Sequence, residues 1–424
     1  MKAYKQMSRD ELLFIQKDLQ TQFDEMKKLN LNLNMARGKP DVTQSQLSLD
    51  MLDVITSHTD FGESMENCNY GILDGIEEAK DFFAELFDVN HDQVIVYGNS
   101  SLNIMFDQIS RGFTHGYMGN TPWYQLKKVK FLCPTPGYDR HFAITEHFGI
   151  EMINIPMNDN GPDMDMVEEY VNNDDSVKGI WCVPQYSNPT GCVYSNETVE
   201  RFSKLKPAAK DFRIFWDNAY LVHHLYNEEG HVANIMKACE VAGNPHLVFE
   251  FCSTSKITLP GSGVAALATS VENKKDILSH MTIQTIGYDK INQLRHVEYF
   301  KNVENLNKHM KKHAELLRPK FEIILDIFDK ELSGLGIGEW TKPLGGYFIS
   351  FDALDHCAKD IIAKCKEAGT LLTKAGSTYP YGKDPLDSNI RIAPSYPTVD
   401  ELKQAAYLFT ICVRLVSIKK LLNA

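Results

Sequence analysis

Lys256 stands in the run Ser253-Thr254-Ser255-Lys256, directly after the apolar stretch 247–252. A lysine amine can form an imine with a carbonyl compound and, once freed, can move a proton. The small residues around it, Ser253, Ser255, Gly261 and Gly263, leave room for a ligand to approach the backbone. Upstream, Asp217 follows Ile214-Phe215-Trp216. A carboxylate in such an apolar setting can hold a heteroaromatic ring nitrogen protonated. Tyr220 lies three residues on, and Asn188 stands in Ser187-Asn188-Pro189-Thr190-Gly191. Both can donate hydrogen bonds to a phenolic oxygen. Near the far end, Arg391 sits between Ile390 and Ile392. A guanidinium in a strand-like apolar context needs an anion, and a carboxylate fits it bidentately. Gly98-Asn99-Ser100-Ser101 has the composition of a strand-to-helix junction whose N–H groups and hydroxyls point at an anion. Ser253 and Ser255 can add two hydroxyls, and Tyr138 can stack on an aromatic face. Taken singly, each has a structural explanation: a surface lysine, a turn aspartate, capping serines, a core tyrosine.

Their value lies in where the elements put them. Short apolar strands are predicted at 94–97, 129–133, 152–155, 178–183, 213–217, 247–252 and 264–269. Helical segments separate most of them, among them 101–112 and 196–210, and a further helix is expected over 72–87. This alternation predicts an α/β fold with a mostly parallel sheet covered by helices. Ser100, Ser101, Tyr138, Asn188, Asp217 and Lys256 then all fall at or just past strand carboxyl ends, where open parallel sheets bind ligands. Before the first strand, Ser8 and Glu11 have capping-box spacing, followed by Leu12, Ile15, Leu19 and Phe23 on one helical face. After residue 270 the chain turns helical, with a charged amphipathic run over 292–330. It ends with a strand at 346–351 and helices near 355–368 and 398–421. The expected division is an N-terminal arm and part of a small domain (1–60), a large domain (61–300) and a small C-terminal α+β domain (301–424).

The 424 residues are 43% hydrophobic and 24% charged, with a net charge of −12. That balance argues against nucleic acid or an anionic membrane as a partner, since either needs clustered Lys and Arg. The nine cysteines are scattered without a CxxC pair, which fits free thiols in a reducing compartment rather than disulfides or metal ligands. No apolar signal core opens the sequence and no window approaches a membrane span. A cytoplasmic protein without bound metal is the expectation.

With an amine, a carboxylate, an amide and a guanidinium in this order, the sequence resembles the fold-type I pyridoxal-phosphate (PLP) dependent aminotransferases of classes I and II. Within them it is most similar to the bacterial aspartate aminotransferases of the Ic subgroup. The similarity runs along nearly the whole chain. It is carried by Met35-Ala36-Arg37-Gly38-Lys39-Pro40, Gly98-Asn99-Ser100-Ser101-Leu102, Pro134-Thr135-Pro136-Gly137-Tyr138-Asp139-Arg140, Trp216-Asp217-Asn218-Ala219-Tyr220 and Ser253-Thr254-Ser255-Lys256. The resemblance implies that Lys256 is the Schiff-base lysine and Asp217 the partner of the pyridine nitrogen. Asn188 and Tyr220 hold the phenolic oxygen, Tyr138 stacks on the ring, and Ser100, Ser101, Ser253 and Ser255 surround the phosphate. Gly38 and Arg391 line the α-carboxylate site. Tyr70 matches a tyrosine that reaches the phosphate of the neighbouring subunit, which implies a homodimer with shared active sites. The reaction implied is amino transfer from aspartate to 2-oxoglutarate.

One departure stands out. Most of the family carry a phosphate-binding arginine shortly after the lysine, and here the stretch reads Gly261-Ser262-Gly263-Val264. Hydroxyls and a helix N-terminus are expected to replace that charge. A dicarboxylic substrate also needs a second cation, for which Arg37, Arg140 and Lys290 are candidates. Arg37 is preferred because it adjoins Gly38. The same scaffold can serve another amino acid or a β-elimination, because the cofactor supplies the chemistry. A PLP-binding regulator would need a basic DNA-binding segment, and the acidic charge speaks against one. Gly261-Ser262-Gly263 lacks the third glycine and downstream acid of a dinucleotide fingerprint.

Overall fold

The computed structural model describes residues 2–61, 65–228 and 230–423. Its central feature is an eight-stranded sheet. In spatial order the strands are Val94–Val96, Ala265–Ala268, Val248–Ser253, Arg213–Asp217, Val177–Cys182, Lys130–Thr135, Glu151–Asn158 and Gly161–Pro162. The five from Val248–Ser253 to Glu151–Asn158 are mutually parallel. Ala265–Ala268 runs antiparallel to both of its neighbours, and Gly161–Pro162 is an antiparallel edge. Alternate residues feed two cores. Phe131, Trp181, Phe215 and Phe249 pack on one face, while Leu132, Ile180, Ile214 and Val248 pack on the other. Burial on both faces explains why these strands read as unbroken apolar runs.

A second body is built on the antiparallel strands Gly338–Trp340, Ile349–Ala353 and Asn389–Ile392. Leu12, Leu19 and Phe23 of helix Arg9–Lys28 share its core with Phe328, Phe351, Ile361 and Phe409. Residues near both ends of the sequence therefore build one core. The Ser8 capping box forms as the spacing predicts, with Ser8 and Glu11 each accepting from the other's backbone N–H. Helix Val303–Glu331 joins the two bodies. Its Leu306 and Met310 pack with Phe82 and Val96, and its Leu317 and Phe321 pack in the second core. Among the described residues no helix is long and apolar enough to cross a membrane.

Several boundaries differ from the sequence pattern, each for a local reason. The helix expected from residue 72 starts at Glu77. Ile72 and Gly75 have φ of 54° and 98°, and a helix cannot include them. The run 292–330 is two helices, Lys290–Phe300 and Val303–Glu331, because Lys301 turns at φ 66° and Asn302 caps the second. The late strand is Ile349–Ala353 rather than 346–351, displaced by a turn at Gly346 with φ 79°. Helix Asn196–Ser203 stops short of the expected residue 210, before Pro207.

Candidate active site

The junctions at the carboxyl ends of the strands converge. Ser100, Ser101, Tyr138, Asp217, Ser253, Ser255 and Lys256 line one cavity of about 200 Å³, together with Leu102, Met105 and Ala219. Lys256 ends a short turn, Thr254–Lys256, that leaves strand Val248–Ser253. Its Nζ donates to the Tyr220 hydroxyl at 2.8 Å and lies 4.3 Å from the centre of that ring. Burial holds the amine below its ordinary pKa, and nearby Arg391 acts in the same direction, while Tyr138 and Asp217 oppose them. Burial likewise raises the Tyr138 phenol to about 12 and the Tyr220 phenol further. An amine with a depressed pKa beside two neutral phenols is suited to proton transfer.

Asp217 closes strand Arg213–Asp217 and is 3% exposed. Its Oδ2 lies 2.9 Å from His141 Nε2, and its Oδ1 is buried with no hydrogen-bond partner among the described residues. His141 stacks on Trp181, with ring centres 4.4 Å apart at 9°. Trp181 Nε1 donates to Thr145 Oγ1 at 2.8 Å, and that hydroxyl donates to the His141 carbonyl at 2.8 Å. A buried acceptor without a donor is costly unless a ligand supplies one. Asp217 Oδ1 thus suits a protonated ring nitrogen, and the cavity holds an amine and four serine hydroxyls beside it. These residues fit PLP.

Among the described residues three of the serines keep their hydroxyls free. Ser100 is the N-cap of helix Ser101–Thr114 but makes no side-chain capping bond. Ser101 and Ser253 form no side-chain hydrogen bond among the described residues, whereas Ser255 Oγ donates to the Asn99 carbonyl at 3.0 Å. No arginine lines this cavity. Gly263 passes so close that a Cβ would sit 3.1 Å from Ser255 N and 3.2 Å from its Oγ, so a side chain there would press on the serine loop.

Arg391, 8% exposed, comes from strand Asn389–Ile392 of the second body. Its Nη1 donates to Asp139 Oδ1 at 2.7 Å and to Asn188 Oδ1 at 3.3 Å, and its guanidinium lies 4.9 Å over the Phe348 ring. Phe348 also faces Gly38, where a Cβ would meet its Cζ at 2.3 Å. Gly38 is therefore needed for close packing beside Arg391. Asn188, which bonds Arg391, and Tyr138, which also lines the Lys256 cavity, line a second small cavity with His141.

Not every expected residue joins this group. Tyr70 is 81% exposed and lines neither cavity. Arg37 and Arg140 are exposed and form no ion pair among the described residues, though Arg37 adjoins Gly38 and Arg140 adjoins Asp139. Lys290 is 4% exposed and bonds the Tyr70 carbonyl at 3.3 Å, with Glu66 Oε1 at 3.5 Å. Two contributors escaped the sequence reading, His141 and Asp139. Both lie on helix Asp139–His147, in the first turn after Tyr138. The available signal was the helical period that places His141 three residues after a candidate ring-stacking tyrosine.

A mostly parallel sheet with lysine, aspartate and serines gathered at its carboxyl edge defines the class: an α/β enzyme of PLP fold type I. Comparison with known proteins narrows it. The family model described as aspartate amino-transferase matches residues 7–424, and the chain belongs to that family. An aspartate aminotransferase of Corynebacterium glutamicum is 46% identical over 409 residues, covering 96% of this chain and 94% of its own. A solved aspartate transaminase structure from the same species superposes with a TM-score of 0.95, at 44% identity and 99% coverage of both chains. The α-aminoadipate aminotransferase of Thermus thermophilus, solved with N-(5'-phosphopyridoxyl)-L-leucine, shares the fold at a TM-score of 0.74 and 18% identity, covering 92% of this chain and 93% of its own. The protein is an aminotransferase, and family membership implies PLP as its cofactor.

Proposed function

We propose that the protein transfers the amino group of aspartate to 2-oxoglutarate, using PLP bound through Lys256. The observation that carries this reading is the shared cavity of Lys256 and Asp217, with Asp217 Oδ1 lacking a partner among the described residues. Asp217 would hold the pyridine nitrogen protonated. Asn188 and Tyr220 would hold the phenolic oxygen, and Tyr138 would cover the ring. Ser100, Ser101, Ser253 and Ser255, with the N-terminus of helix Ser101–Thr114, would hold the phosphate. Bound there, PLP supplies an electron sink for the charge that develops at the substrate Cα.

The chain's own groups do the rest. Arg391 binds the α-carboxylate, and Phe348 and Gly38 wall that subsite. Lys256 Nζ, its pKa lowered by burial, takes the Cα proton. His141 keeps Asp217 oriented. Arg37 is our choice for the distal carboxylate, because it adjoins Gly38 in the Arg391 subsite, with Arg140 and Lys290 as the alternatives to be separated. Tyr70, exposed on its own chain, is read as reaching the phosphate of a second copy in a homodimer. Exposed Arg37 and Arg140 adjoin in sequence Gly38 and Asp139 of the Arg391 subsite, which supports either, whereas Lys290 is already committed to Glu66.

The experiment is an assay of aspartate with 2-oxoglutarate on the purified holoenzyme and on R37A, R140A and K290M. The expected products are oxaloacetate and glutamate. R37A is expected to lose aspartate activity while sparing a monocarboxylic amino acid. Release of ammonia and pyruvate instead would mean elimination. If none of the three variants discriminates against the dicarboxylate, the aspartate assignment fails.

A further inference from the structure

We infer that His296 and Asn292 are positioning residues for the phosphate of PLP: from one face of helix Lys290–Phe300 they hold the two loops whose neutral groups bind it. This rests on the reading of Ser253 and Ser255 as phosphate ligands and adds what fixes them in place. Among the described residues no arginine lines the Lys256 cavity. A guanidinium attracts an anion from many angles, whereas a hydroxyl weakens steeply once its geometry is lost. The serines therefore depend on whatever holds their loop.

His296 is 1% exposed and bonded at both ring nitrogens. Its Nδ1 lies 2.8 Å from the Asn292 carbonyl, which can only accept, so Nδ1 carries the proton. Burial lowers the ring's pKa to about 4 and keeps it neutral, so Nε2 is an acceptor. Thr254 Oγ1, 2.9 Å away, donates to it and accepts from the Val264 N–H at 2.9 Å. Thr258 Oγ1, 3.2 Å from the same nitrogen, has the Thr254 carbonyl to donate to at 3.2 Å. Thr254 is fully buried and stands between Ser253 and Ser255, which line the cavity while it does not. One turn earlier on the same helix, Asn292 Nδ2 donates to the Ser262 and Gly263 carbonyls at 3.1 and 3.0 Å. Arg295 donates to Asn292 Oδ1, which fixes the direction of the amide. Two side chains four residues apart thus fasten the serine loop and the glycine loop that presses on it.

The test compares the Kd of PLP with that of pyridoxal, which lacks the phosphate, by absorbance titration of cofactor-free protein. The ratio of the two reads the phosphate's share of binding. His296→Leu removes the acceptor for Thr254, Thr254→Val removes the hydroxyl at constant shape, and Asn292→Ala releases the glycine loop. Asn292 is only half-buried, so its variant keeps the test open if the buried ones fail to fold. Each should weaken PLP about three- to ten-fold, the loss of one hydrogen bond, and leave pyridoxal within about twofold. His296→Gln, whose amide oxygen can take the Thr254 proton, should keep most of the affinity that His296→Leu loses. An equal loss for PLP and pyridoxal would show general support of the Lys256 loop, and unchanged values would show no role; either result overturns the inference. Failure of the underlying reading looks different: Ser253→Ala would then leave the ratio at its parent value.

Discussion

His141→Phe tests the support beneath Asp217. The substitution keeps an aromatic ring to stack on Trp181, whose centre lies 4.4 Å away, and removes only the nitrogen 2.9 Å from Asp217 Oδ2. Since Oδ1 has no partner among the described residues, the carboxylate would lose its one bond there. The two side chains are 2% and 4% exposed, so water cannot fully replace the bond. A hydrogen bond to a charged group contributes about 1.5–3 kcal/mol, and without it the carboxylate is no longer held facing the ring-nitrogen site. An Asp217 that is no longer held in place pairs less well with a pyridinium, so the lost interaction appears in cofactor binding. Converted, it is a rise of about 10- to 150-fold in the Kd for PLP. The assay is titration of cofactor-free protein with PLP, followed by absorbance and by quenching of tryptophan fluorescence. His141→Gln, which can donate from a similar distance, should recover part of the loss. A His141→Phe variant binding PLP within about twofold of the parent, well under the ~1.4 kcal/mol of a tenfold change, would refute the reasoning.

Three further outcomes are expected. Ser100→Ala and Ser253→Ala should each weaken PLP binding by about 0.5–1.5 kcal/mol, whereas Ser255→Ala should cost less, because its proton is already given to Asn99; equal effects from all three would contradict this. Gly75→Ala should destabilise the fold by about 1–3 kcal/mol in denaturant titration, because φ is 98° and the new Cβ would sit 2.6 Å from Val96 Cβ. Acid should destabilise the protein between pH 6.5 and 4.5. Burial lowers His296 and His313 from 6.5 to about 4, so their contribution is complete above pH 6.5 and declines as pH falls toward 4. Burial raises Glu250 from 4.5 to about 7, so its contribution is complete below pH 4.5 and is lost as pH rises through 7. Burial lowers His223 and His309 as well, so the histidines outnumber Glu250 and acidification through this window brings a net loss of stability. Glu250→Gln should steepen it, and greater stability at pH 5 than at pH 6.5 would contradict the assignment.

What the sequence disclosed, and what it withheld, follows from the range of the interactions. Strands flanked by turn residues are local features, so the sheet and the loops bearing Ser100, Asn188, Asp217 and Lys256 were legible. The direction of Ala265–Ala268 was also written locally. Only a short stretch without a long helix separates it from strand Val248–Ser253, too little for a parallel crossover, yet the apolar run alone does not say so. His141 and Asp139 were visible as residues, but their roles depend on Asp217 and Arg391, which are distant in sequence. The break at Lys301 was hidden because amphipathic periodicity continues across it. A distal-carboxylate cation is harder still, since Arg37 and Arg140 each adjoin in sequence a residue of the Arg391 subsite, and among the described residues neither has an ion-pair partner that fixes its direction.

The central claim is that Lys256 carries the cofactor, and reductive trapping tests it most directly. The holoenzyme is treated with borohydride, digested, and the pyridoxyl-labelled peptide located by mass spectrometry. The label should fall on Lys256, and prior incubation with aspartate alone should prevent it by converting the cofactor to its amino form. A label on another lysine, or a label on Lys256 that aspartate leaves unchanged, would contradict the account.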